Sequence, residues 1–140
     1  MRRRRLLLGV LLTCAWMTPA AMVPAQAAAC RAPLRPMLIV DLYFGRNGPH
    51  GGVTEKRWSR FLAQEVAPRF PDGLTVLDGA GQWREAAYKR VIRERTKVVT
   101  IAVAAADSVY ERIAAVTDAY KRRFHQKSVG VIVRDGCAAF

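Results

Sequence analysis

From residue 37 onward the chain alternates short, continuous apolar runs with stretches whose apolar residues recur at helical spacing. Met37 to Phe44 (MLIVDLYF) is rich in β-branched and aromatic residues, follows Pro33 and Pro36 and stops at Gly45, which predicts a strand. Residues 45–53 (GRNGPHGGV) carry four glycines and a proline and predict a loop. Thr54 then stands as an N-cap, with Glu55 in the first turn where negative charge suits the helix dipole. Trp58, Phe61, Leu62 and Val66 follow at i, i+3, i+4 and i+8, the spacing of one buried helical face, and Pro68, Pro71 and Gly73 end the helix.

Leu74 to Leu77 (LTVL) predicts a second strand entering Asp78-Gly79-Ala80-Gly81, where the glycines predict a turn or bulge. Val91 to Val103 holds a third strand, densest in β-formers over Lys97 to Val103. In the next helix Ser108 and Glu111 have the spacing of a capping box, and Val109, Ile113, Val116, Tyr120 and Phe124 line one face. Lys121, Arg122 and Arg123 sit in its last turn, beside unpaired carbonyls that favour positive charge. Val129 to Val133 predicts a fourth strand. The order β-α-β-β-α-β, without internal repeats, predicts an α+β fold: a ferredoxin-like split sandwich whose four-stranded antiparallel sheet carries two helices on one face.

Period-2 alternation sends Leu38, Val40, Leu42 and Phe44 to one face of that sheet and Met37, Ile39, Asp41 and Tyr43 to the other. The first set belongs under the helices. The second, joined by Thr100, Ala102 and Ile132, is too apolar for a solvated face, so a homodimer packing sheet to sheet, or a ligand cavity, is expected to cover it.

The segment before residue 37 changes how charge and cysteines are read. Arg2 to Arg5, the apolar Leu6 to Met17 and the small-residue pattern Ala25-Gln26-Ala27 have the form of a secretory signal peptide. The expected division is a signal at 1–27, a linker at 28–36 and one domain at 37–140, exported to the periplasm or beyond, with no transmembrane segment in the mature chain. Ala27-Ala28-Ala29 before Cys30 leaves a lipoprotein anchored at Cys30 as an alternative. The whole chain has 23 Lys+Arg against 11 Asp+Glu; without the leader's four arginines, 19 remain against 11, a net of +8. That charge suits an anionic ligand or an envelope component, and in an exported protein it does not argue for nucleic acid. Cys14 leaves with the leader, so Cys30 and Cys137 are expected to form one disulfide. In the proposed topology the last strand runs antiparallel beside the first, which brings these two cysteines together.

Chemistry-bearing residues are few. His50 in the glycine loop and His125 at a helix end lack the spacing of a metal site, and no Gly-x-Ser-x-Gly elbow is present, so no metal, cofactor or nucleophile is expected. Gly79-Ala80-Gly81 is read as a turn and not as part of a dinucleotide fingerprint. Asp41 interrupts an apolar run and is the weak candidate for an acid or base, or else pairs with one of Arg46, Arg84, Arg93 and Arg95 across neighbouring strands. Arg46 follows the first strand; Gln82, Trp83 and Arg84 follow the second; Arg93, Arg95 and Lys97 would form a cationic ladder on one face of the third, with Glu94 on the other. Tyr43, Arg46, Trp83, Arg84, Arg93 and Arg95 are therefore the expected ligand-binding residues, Trp83 as a stacking platform.

Asp41 to Gly45 (DLYFG), Phe70 to Trp83 (FPDGLTVLDGAGQW), Arg93 to Val98 (RERTKV) and Ala119 to Phe124 (AYKRRF) together resemble a family of small exported bacterial proteins catalogued as a domain of unknown function. The resemblance covers residues 37–140 and is most specific over Phe70 to Trp83. It implies secretion and a single α+β unit and brings no activity, ligand or catalytic residue. The expected function is accordingly a non-enzymatic binding or structural domain of the periplasm or envelope. The alternative is a small enzyme of the dimeric α+β-barrel kind acting on an anionic small molecule, with Asp41 as acid or base and Arg46, Arg84 or Arg93 holding the substrate.

Overall fold

A computed structural model describes residues 30–48, 51–85 and 89–140. The proposed signal peptide and His50 lie outside the described residues. The elements are β1 (Arg35–Gly45), α1 (Glu55–Phe61), β2 (Thr75–Glu85), β3 (Arg90–Val103), α2 (Asp107–Phe124) and β4 (Gly130–Ala138). The strands form one sheet in the order β2-β3-β1-β4. Each neighbouring pair is antiparallel. This is the ferredoxin-like arrangement expected from the element order.

Alternation in β1 does what the pattern predicted. Leu38, Val40, Leu42 and Phe44 are buried under the helices together with Val99, Ile101 and Val103 of β3. The helices supply Trp58 and Phe61 from α1 and all five of the periodic residues Val109, Ile113, Val116, Tyr120 and Phe124 from α2. Thr54 caps α1, its hydroxyl accepting from the Arg57 N–H at 3.3 Å. The helix then loosens into a π turn at Leu62–Val66 and a 3-10 turn at Ala67–Arg69, where Pro68 has no N–H to continue an α-helical ladder. Leu62 is only half-buried, while Val66 remains in the core.

Cys30 and Cys137 form a disulfide with Cα atoms 5.7 Å apart. The register explains their proximity: Pro36 pairs with Cys137 and Arg35 with Ala138, so β4 ends beside the beginning of β1. The sulfur of Cys30 is thereby bonded to Cys137, and in this state it cannot also carry a thioether lipid.

Three local expectations are corrected. Asp78-Gly79-Ala80-Gly81 is neither a turn nor a bulge: β2 runs through it to Glu85, paired residue for residue with β3 down to Arg90. Gly81 serves the neighbouring strand, because a Cβ there would come within 2.7 Å of Thr96 Oγ1. Ser108 and Glu111 do not form a capping box. The helix starts earlier, at Asp107 with Ala106 as an uncapped N-cap, which places Ser108 inside the first turn with its carbonyl accepting from Arg112 Nε at 3.3 Å. All four strands also outlast their apolar runs, β4 reaching Ala138 and β1 beginning at Arg35 within the expected linker.

The longer hairpin has a consequence for shape. Pairing of β1 with β3 stops at Gly45 and Thr96, whereas β2 and β3 continue together to Glu85 and Arg90. Residues 80–85 and 90–95 therefore project as a two-stranded arm beyond the end of β1.

Candidate functional site

The root of this arm gathers most of the charged chemistry. On the helix side, Arg46 and Lys97 are buried, and Glu55 at the start of α1 and Asp78 on β2 close over them. Lys97 Nζ lies 2.6 Å from Asp78 and 3.1 Å from Glu55, and Arg46 Nη1 donates to Glu55. Arg46 Nε also donates to the Val53 carbonyl at 2.8 Å, which draws the glycine-rich loop back onto β1. Its Nη2 is buried without a partner among the described residues. Tyr120 Oη donates to the Gly45 carbonyl at 2.9 Å from beneath, and burial holds that phenol well above its ordinary range.

Hydrogen bonds from Lys97, and for Glu55 also from Arg46, hold the Glu55 and Asp78 carboxyls below their ordinary values of 4.5 and 3.8. Burial alone would lower Lys97, but its bonds to Asp78 and Glu55 prevail and raise it. The lowered carboxyls contribute stability that is present above the unfolded values and is lost as pH falls through the folded ones. The raised lysine contributes stability that is present below 10.5 and lost as pH rises through its folded value. Thermal melts are therefore expected to hold level from neutral pH down to about pH 5 and to fall progressively below about pH 4.5. A Glu55→Gln/Asp78→Asn variant should flatten that decline, and an equal slope in the variant would show that other groups drive it.

On the opposite sheet face Asp41 is buried between strands. Its Oδ2 pairs with Arg134 at 2.5 Å and its Oδ1 accepts from Thr100 Oγ1 at 2.7 Å. Burial would raise this carboxyl, but the bonds from Arg134 and Thr100 and the Arg134 charge outweigh it and lower it. Its arginine comes from β4, so the expected partner among Arg46, Arg84, Arg93 and Arg95 is corrected to Arg134. With both oxygens engaged, Asp41 is poorly placed for acid or base work. The rest of this face is as apolar as expected: Tyr43 is 37% exposed, Trp83 42%, Ile132 47% and Leu77 56%.

The expected ligand residues divide. Arg93 and Arg95, with Asn47, Ala80, Gly81, Gln82 and Glu94, line an open cavity of about 520 Å³ at the arm's root. The ladder stops there, since Lys97 is consumed by Asp78 and Glu55. Arg46 is walled into the same ion cluster, Arg84 lies exposed farther out on the arm, and Tyr43 sits on the open face away from the cavity lining. Trp83 reaches the cavity through Glu94, its Nε1 donating to Glu94 Oε1 at 3.1 Å.

Glu94 and Asn47 were not among the expected site residues. The Asn47 N–H donates to Glu94 Oε2 at 3.3 Å, and Asn47 Nδ2 donates to the Arg93 carbonyl at 3.0 Å. Gln126 Nε2 donates to the Asn47 carbonyl and ties the end of α2 to the same corner. The one sequence signal for Glu94 was its acidic character inside a basic run.

Comparison with known proteins bears on the fold and the family. A family model described as protein of unknown function (DUF3574) matches residues 40–140. No curated protein matches. A solved phage SAM lyase in complex with S-methyl-5′-thioadenosine is similar with a TM-score of 0.56 and 14% identity, over 73% of this chain and 90% of that one. The apo state of a phage SAM lyase is similar with a TM-score of 0.55 and 13% identity, over 71% of this chain and 81% of that one. Likeness at these identities shows the fold alone.

Proposed function

The chain belongs to the DUF3574 family, and on that premise we propose that it is an exported binding domain that holds an anionic ligand in the cleft formed by Arg93 and Arg95. The carrying observation is the cavity at the arm's root, which Arg93 and Arg95 line together with the small residues Ala80 and Gly81 and with Gln82 and Asn47. Export is supported by the leader's form and by the Cys30–Cys137 disulfide, a bond that persists in oxidising compartments. A homodimer through the open face is supported by its exposed Tyr43, Leu77, Trp83 and Ile132, an unusual set for a solvated sheet. The ligand is expected to be an envelope component or small molecule with a phosphate, sulfate or carboxylate group.

Titration of the mature chain with inorganic phosphate, followed by amide chemical shifts, tests the reading. Arg93→Ala/Arg95→Ala should weaken binding by about tenfold or more, consistent with about 1.5–3 kcal/mol for a hydrogen bond to a charged group. Added salt should weaken binding in the wild type. Unchanged affinity in the double variant would remove the cleft reading, and a single-chain mass by light scattering on the same sample would remove the dimer.

A second reading, a small enzyme acting on an anionic small molecule, is favoured by Glu94. Its carboxylate accepts from two N–H donors beside the cavity that Glu94 lines, where an acid or base could act on a bound ligand. The phage SAM lyases supply the precedent for chemistry on this fold. Release of S-methyl-5′-thioadenosine from S-adenosylmethionine by the mature chain, abolished by Glu94→Gln, would establish it.

A further inference from the structure

The cations of the helix layer are unevenly distributed. Residues 56–64, in α1 and the turn after it, carry Lys56, Arg57 and Arg60 and no Asp or Glu. Residues 119–126, at the end of α2, carry Lys121, Arg122 and Arg123 and again no acid. The two segments pack together, the Phe61 ring centroid lying 5.0 Å from that of Tyr120 and 5.7 Å from that of Phe124. The acids that flank them are already paired: Glu55 with Arg46 and Lys97, Glu65 with Arg69, and Asp118 with Lys121.

Two arginines are fixed at this seam. The guanidinium carbon of Arg57 lies 5.0 Å from the centre of the Phe124 ring, and its Nη1 donates to the Gly52 carbonyl at 3.0 Å. Arg123 approaches the same ring at 5.7 Å, and its Nη1 donates to Gln64 Oε1 at 3.0 Å. It reaches across to α1's continuation rather than back to the carbonyls that end α2. The two guanidinium groups are therefore at most about 11 Å apart, close to the Debye length of about 10 Å at 0.1 M salt, so an anion over the seam feels both. Each is oriented by a neutral oxygen and a ring, which leaves its charge uncompensated. Arg60, three residues from Arg57, stands exposed on the same side of α1. None of the three forms an ion pair among the described residues.

The rest of the seam narrows the choice of partner. Its large apolar side chains, Trp58, Phe61, Tyr120 and Phe124, are all buried. No ring is exposed there for a nucleobase to stack on, and no aromatic anchor for a bilayer. The surface offers fixed guanidinium groups in a row, which suits a polymer with repeated anionic groups.

We propose that the seam between α1 and the end of α2 docks an acidic polysaccharide, whose sulfate, phosphate or carboxylate groups engage Arg57, Arg60 and Arg123 together. This surface uses neither Arg93 nor Arg95 and stands or falls apart from the cleft.

Fluorescence anisotropy of labelled dextran sulfate with the mature chain, at low and at raised salt and with neutral dextran as control, tests it. Arg57→Gln/Arg123→Gln is expected to bind at least about tenfold more weakly than wild type and with a shallower salt dependence. Arg31→Gln/Arg35→Gln removes the same charge from exposed positions elsewhere and is expected to lower affinity by less than about threefold. Circular dichroism verifies the fold. Should the seam variant not fold, the exposed Arg60→Gln is expected to weaken binding more than Arg35→Gln does. Equal losses at the seam and at the control positions would show that net charge alone drives binding and would overturn the proposal. Absence of dextran sulfate binding would overturn it too, as would binding that survives in the seam variant and is lost in Arg93→Ala/Arg95→Ala. Tighter binding of duplex DNA or of phosphatidylglycerol vesicles than of dextran sulfate would assign the seam to a different partner and overturn the polysaccharide.

Discussion

Replacing Cys30 and Cys137 by serine is expected to lower the unfolding free energy by about 4–5 kcal/mol, the chain-entropy value for a closed loop of about a hundred residues. The bridge spans 107 residues of sequence, so nearly the whole folded unit lies inside the loop it closes. Its absence would enlarge the unfolded ensemble and also release a sheet edge, since Pro36 pairs with Cys137 where β1 begins and β4 ends. Against a total of about 5–15 kcal/mol for a typical domain, that loss leaves a marginal fold. Urea titrations of the oxidised wild type and the double serine variant measure it. A difference below about 1 kcal/mol would mean that pairing of β1 with β4 alone confines the termini. Mass spectrometry of the native protein should show one Cys30–Cys137 linkage, and a diacylglycerol adduct on Cys30 would show instead that the thiol is used for anchoring.

The same pair shows why much of the fold was legible in the sequence. Periodicity located the buried face of α2 from Val109 to Phe124, and alternation located the inward residues of β1, because burial in a two-layer sandwich imposes those periods. Topology then followed from element order, and the cysteines agreed with it. The errors lie where a residue answers to a neighbouring strand. Gly79 and Gly81 read locally as a turn, yet they pair with Thr96 and Glu94 in the sheet, and Gly81 leaves room for the Thr96 hydroxyl. Ser108 and Glu111 have the spacing of a cap, but the helix starts at Asp107.

The site divides along the same line. Arg93 and Arg95 were found from alternation along one strand, whereas Lys97 left the ladder because register sets it opposite Asp78. Glu94, Asn47 and Arg134 acquire their partners only once three strands are in register. Spacing within a segment contains no such information.

Phe44→Ala is expected to destabilise the domain by about 3–5 kcal/mol, the range for deleting a fully buried aromatic side chain. Phe44 has no exposed surface, and its ring centroid lies 4.7 Å from that of Tyr120, 5.2 Å from Trp58 and 5.9 Å from Phe61. These rings come from β1, α1 and α2, so the cavity would open where the sheet meets both helices and would take one packing partner from each of three large side chains. The adjacent Tyr43→Ala makes an informative control. Tyr43 points to the other face and is 37% exposed, so in a monomer its loss should cost no more than about 1 kcal/mol. If the open face is buried against a second copy, Tyr43→Ala should instead lower stability in a concentration-dependent way, because dissociation would then be coupled to unfolding. Denaturation of both variants at two protein concentrations separates the contributions. A Phe44→Ala variant as stable as Tyr43→Ala at low concentration would contradict the assignment of Phe44 to the core, and a Tyr43→Ala penalty independent of concentration would contradict the dimer.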